Sequence, residues 1–249
     1  MTVVFWTALG VGGATLIGAL LGFVTGRIPH KFNDIILGFA AGVMLCAAVV
    51  GLILPSLESG SVPVVVAGIL CGAVFLNLLD RFTPHLHRIA GVKEEQHPQG
   101  TEKLNKVMLF VAAIAIHNLP EGIAAGVSFG GGDTSAGIAV AAGISLQNIP
   151  EGMVMITPLL SVGVSRRRTL ALAAFTGLVE VAGTFFGYAA VGISQAVLPF
   201  ALAFAGGCML YVISDEMIPE THAHGYEQPA TYSILLGFCL MLAMDAWLA

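Results

Sequence analysis

The chain has 249 residues, 57% of them hydrophobic and 10% charged, with a mean hydropathy of +0.90. Soluble domains carry about 25% charged residues, so this composition excludes a water-solvated globule, and the chain's solvent is largely lipid. The net charge of −5 excludes a nucleic-acid partner, which requires a basic face.

A membrane-crossing helix needs about 20 apolar residues. Read in chain order, the sequence predicts eight of them in one transmembrane domain over 1–249: 3–26, 34–57, 62–80, 105–128, 135–160, 169–193, 197–219 and 230–248. Residues 1–26 lack a basic leading region and outrun the apolar core of a cleavable signal, so they read as a retained span. All ten Lys and Arg fall after spans 1, 3 and 5: Arg27 and Lys31; Arg81, Arg88, Lys93, Lys103 and Lys106; Arg166, Arg167 and Arg168. The positive-inside rule makes those connections cytoplasmic and sends both termini outside, in a multi-pass cell (inner) membrane protein. The opposite loops, near 58–61, 130–135 and 194–195, carry no cation. The linker 81–104 is charged and broken by Pro84, Gly91, Pro98 and Gly100, which reads as a mobile cytoplasmic connection. Its His85, His87 and His97 are either incidental or a weak metal-collecting segment. The four cysteines (Cys46, Cys71, Cys208, Cys239) lie in apolar runs without CxxC spacing and read as inert buried thiols.

Spans 4 and 5 carry one phrase twice, IAIHNLPEGIAAG and ISLQNIPEGMVMI, thirty positions apart. Such a repeat on consecutive, oppositely directed helices is what an inverted-repeat transporter predicts. His117 and Glu121 are four apart and project within about 40° of one another on a helix. Gln147 and Glu151 repeat that pair, and Asn118 and Asn148 occupy an adjacent stripe. Pro120 and Pro150 cannot donate to the carbonyls of Ile116 and Leu146, so each kinks its helix and frees an acceptor beside the cluster. Ionisable groups at bilayer depth are costly and mark function by default. Imidazole with carboxylates suits Zn²⁺ or Fe²⁺, whereas Mg²⁺ or Ca²⁺ takes oxygen alone.

Glu180 is a lone carboxylate in span 6, and Met44 in span 2 offers a thioether or core filling. Span 7 runs into Asp215, Glu216, Glu220, His222 and His224 without a cation, an arrangement suited to passing a metal ion to the inner face. Glycine is abundant, at 31 residues. The GxxxG spacings Gly18/Gly22/Gly26, Gly38/Gly42, Gly122/Gly126 and Gly183/Gly187 predict close helix packing.

With HNLPEG and QNIPEG the chain resembles the ZIP family of divalent-metal transporters, and FTPHLH, Glu180 and DEMIPETHAHG resemble its bacterial GufA-like branch. The resemblance spans essentially the whole chain. It implies an all-α polytopic membrane protein of eight helices with the metal site on kinked helices 4 and 5. It further implies a homodimer that imports Zn²⁺ and related ions such as Fe²⁺, Mn²⁺, Co²⁺ or Cd²⁺. Met44, His117, Glu121, Gln147 and Glu151 would form a primary site. Asn118, Asn148 and Glu180 would form a second that shares the two glutamates. Asp80, Asp215 and Glu216 would match an inner exit route and Glu58 an outer mouth. Gln147, Asn148 and Asp215 depart from residues frequent at those positions in the family. The competing reading is a membrane-embedded metal-dependent hydrolase. It lacks HExxH and GxSxG, and the reading adopted is that the chain is not an enzyme.

Overall fold

Small residues and proline shape the helices of this chain more than polar capping does. The structure, a computed structural model, describes residues 1–26, 28–82, 101–132, 134–161 and 163–248; the side chains of 80–82, 101–113 and 131 lie outside that description. The segment 83–100, with His85, His87 and His97, and the side chain of Asp80 are therefore outside it.

Every regular element among the described residues is helical. Helix α1 is Thr2–Thr25. Helix α2 starts as His30–Cys46, widens into a π-helical stretch Ala47–Ile53 and ends as Leu54–Ser59. Helices α3 (Val62–Phe82) and α4 (Thr101–Ser128) follow. Helix α5 is Thr134–Val154, continued after Met155 by Ile156–Ser161. Helix α6 is Arg166–Ile193. Helix α7 runs as Leu198–Val212, a second π-helical stretch Ile213–Met217 and Ile218–Thr221, and α8 is Glu227–Leu248. Six helical stretches among the described residues are long and apolar enough to cross a membrane.

Several ends differ from expectation for visible reasons. Helix α6 starts at Arg166 rather than 169 because the Ser165 hydroxyl accepts from the Arg168 N–H and caps it. Gly26 does not continue the packing stripe of α1: it ends the helix at φ 68, with no side-chain or backbone neighbour where a Cβ would stand. Both π stretches lie just before a proline, Pro55 and Pro219. A proline ring collides with the carbonyl four residues earlier, here Gly51 and Asp215, and the wider π turn makes room.

The outer surface is apolar and the interior is small or polar. Trp6, Leu178 and Phe186 are exposed, whereas Ala40, Ala41, Ala47, Ala48, Ala124 and Ala125 are buried. Cys46 and Cys208 are buried as expected, but Cys71 and Cys239 are exposed. On a lipid-facing helix an apolar run does not demand an interior face, which is why pattern alone misplaced these two.

The helices pack in two matching sets, α1 on α5 and α4 on α6, then α2 on α8 and α3 on α7. The contacts share one numerical offset. Gly12 and Gly177, where α1 crosses α6, each sit against the other's carbonyl. Gly42 against Ile234 is matched by Gly207 against Ile69, and Gly72 against Phe204 by Gly237 against Phe39. In each case the corresponding residues of the matched contacts are 165 positions apart, the separation of Thr15 from Glu180.

Candidate metal centre

The polar cluster lies where α4, α5 and α6 meet beside α1. Glycine sets this approach: a Cβ on Gly122 would strike the Glu180 carbonyl, and one on Gly152 would strike that of Thr15. The backbone of α6 thus comes close enough for Glu180 to join the motif residues of the neighbouring helices.

Glu121, Gln147, Asn148 and Glu180 are almost completely buried, as is Asn118. Gln147 Nε2 donates to Glu121 Oε1 at 2.8 Å. Asn148 Nδ2 donates to Glu180 Oε1 at 2.6 Å and to the Val11 carbonyl at 3.1 Å. The Thr15 hydroxyl donates to Glu180 Oε2 at 3.5 Å. Glu121, Glu151 and Glu180 lie near enough for their charges to repel, with His117 near enough to Glu151 to attract it. His117 Nε2 also stands 3.0 Å from Glu216 Oε1, a contact between α4 and the π stretch of α7.

Three oxygens in this cluster, Glu121 Oε2, Gln147 Oε1 and Asn148 Oδ1, are buried without a hydrogen-bond donor. Buried acceptors without donors are costly, and three carboxylates brought together repel one another unless protons or a cation neutralise them. The donor set, oxygen with one imidazole, fits a borderline divalent metal. Among the described residues no three His, Cys, Asp or Glu side chains form a ready-made metal cage, and amide donors hold two of the carboxylates, Glu121 and Glu180.

The remaining predicted residues are dispersed. Met44 is buried in the apolar core with Ile144 and Met209. Glu58 is exposed at the end of α2, and Asp215 is exposed in α7. Glu220 is partly buried on the last turn of α7. Both ring nitrogens of His222 are engaged, Nδ1 with the Ile218 carbonyl and the Thr221 hydroxyl, Nε2 with Thr231. His224 bonds Asp34.

Three participants escaped the sequence reading: Thr15, the Val11 carbonyl and Asp34. Thr15 was findable, since GxxTxxGxxxG from Gly12 to Gly22 has the frame of GxxExxGxxxG from Gly177 to Gly187. Asp34 stood at a predicted span edge, where a carboxylate draws no notice.

These features define a polytopic α-helical membrane protein with a carboxylate-rich, cation-suited centre inside its helix bundle. Residues 87–245 match the family model described as ZIP Zinc transporter. The chain is 41% identical over 247 residues to Zinc transporter GufA of Myxococcus xanthus, covering 96% of each chain. It is 39% identical to Zinc transporter ZIPB of Bordetella bronchiseptica, covering 93% of this chain and 77% of that one. Its identity to human Zinc transporter ZIP11 is 30%, over 95% of this chain and 94% of that one. The chain belongs to the ZIP family.

Proposed function

We propose that this chain transports Zn²⁺ across a membrane, inward to the cytoplasm, through the centre between α4, α5 and α6. The observation that carries the reading is the cluster of Glu121, Glu151 and Glu180 with amide and imidazole groups in a doubled motif. Its relatives bear the names of zinc transporters, and none of the relatives named above is a hydrolase, so a metal-dependent hydrolase is set aside.

In this reading Met44, His117, Glu121, Gln147 and Glu151 hold the first ion. Asn118, Asn148 and Glu180 add a second position that shares the two glutamates. Glu58 lies at the outer mouth, and Asp80, Asp215, Glu216, Glu220, His222 and His224 lead inward. The contact of His117 with Glu216 supports a hand-over from centre to exit, since one imidazole borders both carboxylate groups. The ten cations on one set of connections support an inner-membrane topology with both termini outside. The common 165-residue offset supports inverted halves, α1–α3 related to α6–α8, with α4 and α5 exchanging. The domain is a single one over 1–249, acting as a homodimer. Fe²⁺, Mn²⁺, Co²⁺ and Cd²⁺ share the donor preferences of the site and are further cargo.

The experiment is ⁶⁵Zn uptake into proteoliposomes with the parent, His117→Ala and Glu151→Ala. Each substitution removes a ligand on a partly buried face and leaves the packing glycines intact, so both variants are expected to fold and to transport almost nothing. Parental rates in either variant would refute the site.

A further inference from the structure

Away from the central cluster, a second set of metal-binding side chains gathers where α2 begins and α7 ends. His30 and Asp34 are one turn apart on α2 and so share a helix face. Asp34 is fully buried, and its Oδ1 lies 3.0 Å from Nδ1 of His224, in the turn between α7 and α8. The His224 ring stacks on that of His30, with centroids 4.5 Å apart and planes inclined by 25°. The other carboxylate oxygen, Asp34 Oδ2, is buried and without a hydrogen-bond donor.

A histidine–aspartate hydrogen bond that merely fastens the turn to α2 accounts for Oδ1. It leaves Oδ2 unexplained, and burying a carboxylate oxygen without a partner is costly. It also gives the exposed His30 ring no role. A divalent cation accounts for all of these features. Two imidazoles and a carboxylate are a common donor set for Zn²⁺ and its neighbours.

The geometry points to a second, cytoplasm-facing divalent-metal site formed by His30, Asp34 and His224, separate from the central cluster. Zinc–nitrogen and zinc–oxygen bonds near 2.1 Å put tetrahedral ligand atoms about 3.4 Å apart, within a few tenths of an ångström of the 3.0 Å that separates His224 Nδ1 from Asp34 Oδ1. An ion entering there replaces the proton between these atoms, and that proton leaves to solvent. Among the described residues no three such side chains already surround one point. Closing the site therefore takes a swing of the His30 ring, which is exposed and at a helix end. His222, two residues away, has both ring nitrogens committed to local hydrogen bonds and is not a ligand. The site rests on its own residues, and only its place as a last station for departing zinc rests on the transport reading.

The test is Zn²⁺ titration of the full-length chain in detergent, with stoichiometry read by calorimetry and ligand type by Co²⁺ absorption. Asp34→Asn and His224→Ala are each expected to remove one ion per protomer. They should do so equally in the parent and in a His117→Ala/Glu151→Ala background whose central cluster is disabled. His30→Ala is expected to weaken that ion at least about tenfold, the least that loss of a metal-supporting group costs. Unchanged stoichiometry and affinity in folded His224→Ala and His30→Ala would overturn the site and leave the contact a fastening. These two histidine variants decide the matter even if Asp34→Asn does not fold. Ions lost in the double background alone report on the central cluster, so either assignment can fail without the other.

Discussion

Substituting Asn148 by Asp sets two opposed effects in one side chain. Asn148 donates to Glu180 at 2.6 Å and to the Val11 carbonyl at 3.1 Å, and aspartate donates to neither. Losing a hydrogen bond to a charged group costs about 1.5–3 kcal/mol and a neutral one about 0.5–1.5 kcal/mol. Together these put the metal-free variant roughly 2–4.5 kcal/mol below the parent, before repulsion from Glu180 is counted. Zinc reverses the balance. Three carboxylates, when all are ionised, give the centre −3, so one Zn²⁺ leaves −1 and two leave +1 in a poorly solvated space, a charge that is costly to bury. With aspartate the doubly loaded centre is neutral. Zinc at 100 times a site's Kd adds about 2.7 kcal/mol of stability, enough to offset most of the lost hydrogen bonding. The expected result is a lower unfolding temperature than the parent in chelator, a larger zinc-induced rise, and calorimetric stoichiometry moving towards two ions at the centre. Uptake should slow, because an ion held more tightly leaves more slowly. If the variant matches the parent both in chelator and in its response to zinc, the Asn148–Glu180 pairing and the charge argument are both wrong.

Gly122→Ala should cost about 1–3 kcal/mol through overpacking, because its Cβ meets the Glu180 carbonyl. It should depress zinc uptake by moving Glu180, whereas Gly13→Ala, which meets nothing within 4 Å, should leave both stability and uptake at parental levels. For topology, a cysteine placed at exposed Ser165 in a cysteine-free chain should resist an impermeant outside label, and one at exposed Ser135 should react. The reverse pattern would invert the assigned orientation.

The helices and the central residues were legible because lipid imposes a harsh rule: a glutamate inside an apolar run has to have a reason. That rule marks Glu121, Glu151 and Glu180 without any structure. It has no purchase on Thr15, whose hydroxyl is inexpensive to bury, or on a backbone acceptor such as Val11. Asp34 was missed for a different reason. A carboxylate at the predicted end of a span is unremarkable in sequence, and only the fold brings His224 to it across 190 positions. Hydropathy likewise could not say which cysteines face outward, since lipid-facing and interior surfaces are both apolar. The GxxxG stripes fared better: Gly18, Gly22, Gly38, Gly42, Gly122, Gly126, Gly183 and Gly187 all sit against a neighbouring helix. Gly26 alone became a terminator.

The widened turns in α2 and α7 bear on how such a chain tolerates change in its length. Before them, Gly42 and Gly207 keep the 165-residue offset of the two halves; beyond them, Pro55 and Pro219 are one position closer. The two stretches themselves differ, seven residues in Ala47–Ile53 against five in Ile213–Met217. In an unbroken α-helix a single inserted or deleted residue turns everything downstream by about 100°, enough to swing Glu216 away from His117. A wide turn takes up the extra residue within itself, so the faces on either side hold their direction. Alignments that force these two segments into gapless register will therefore pair residues beyond the widened turns one position out, and substitutions transferred by such alignments will miss their targets by that one position.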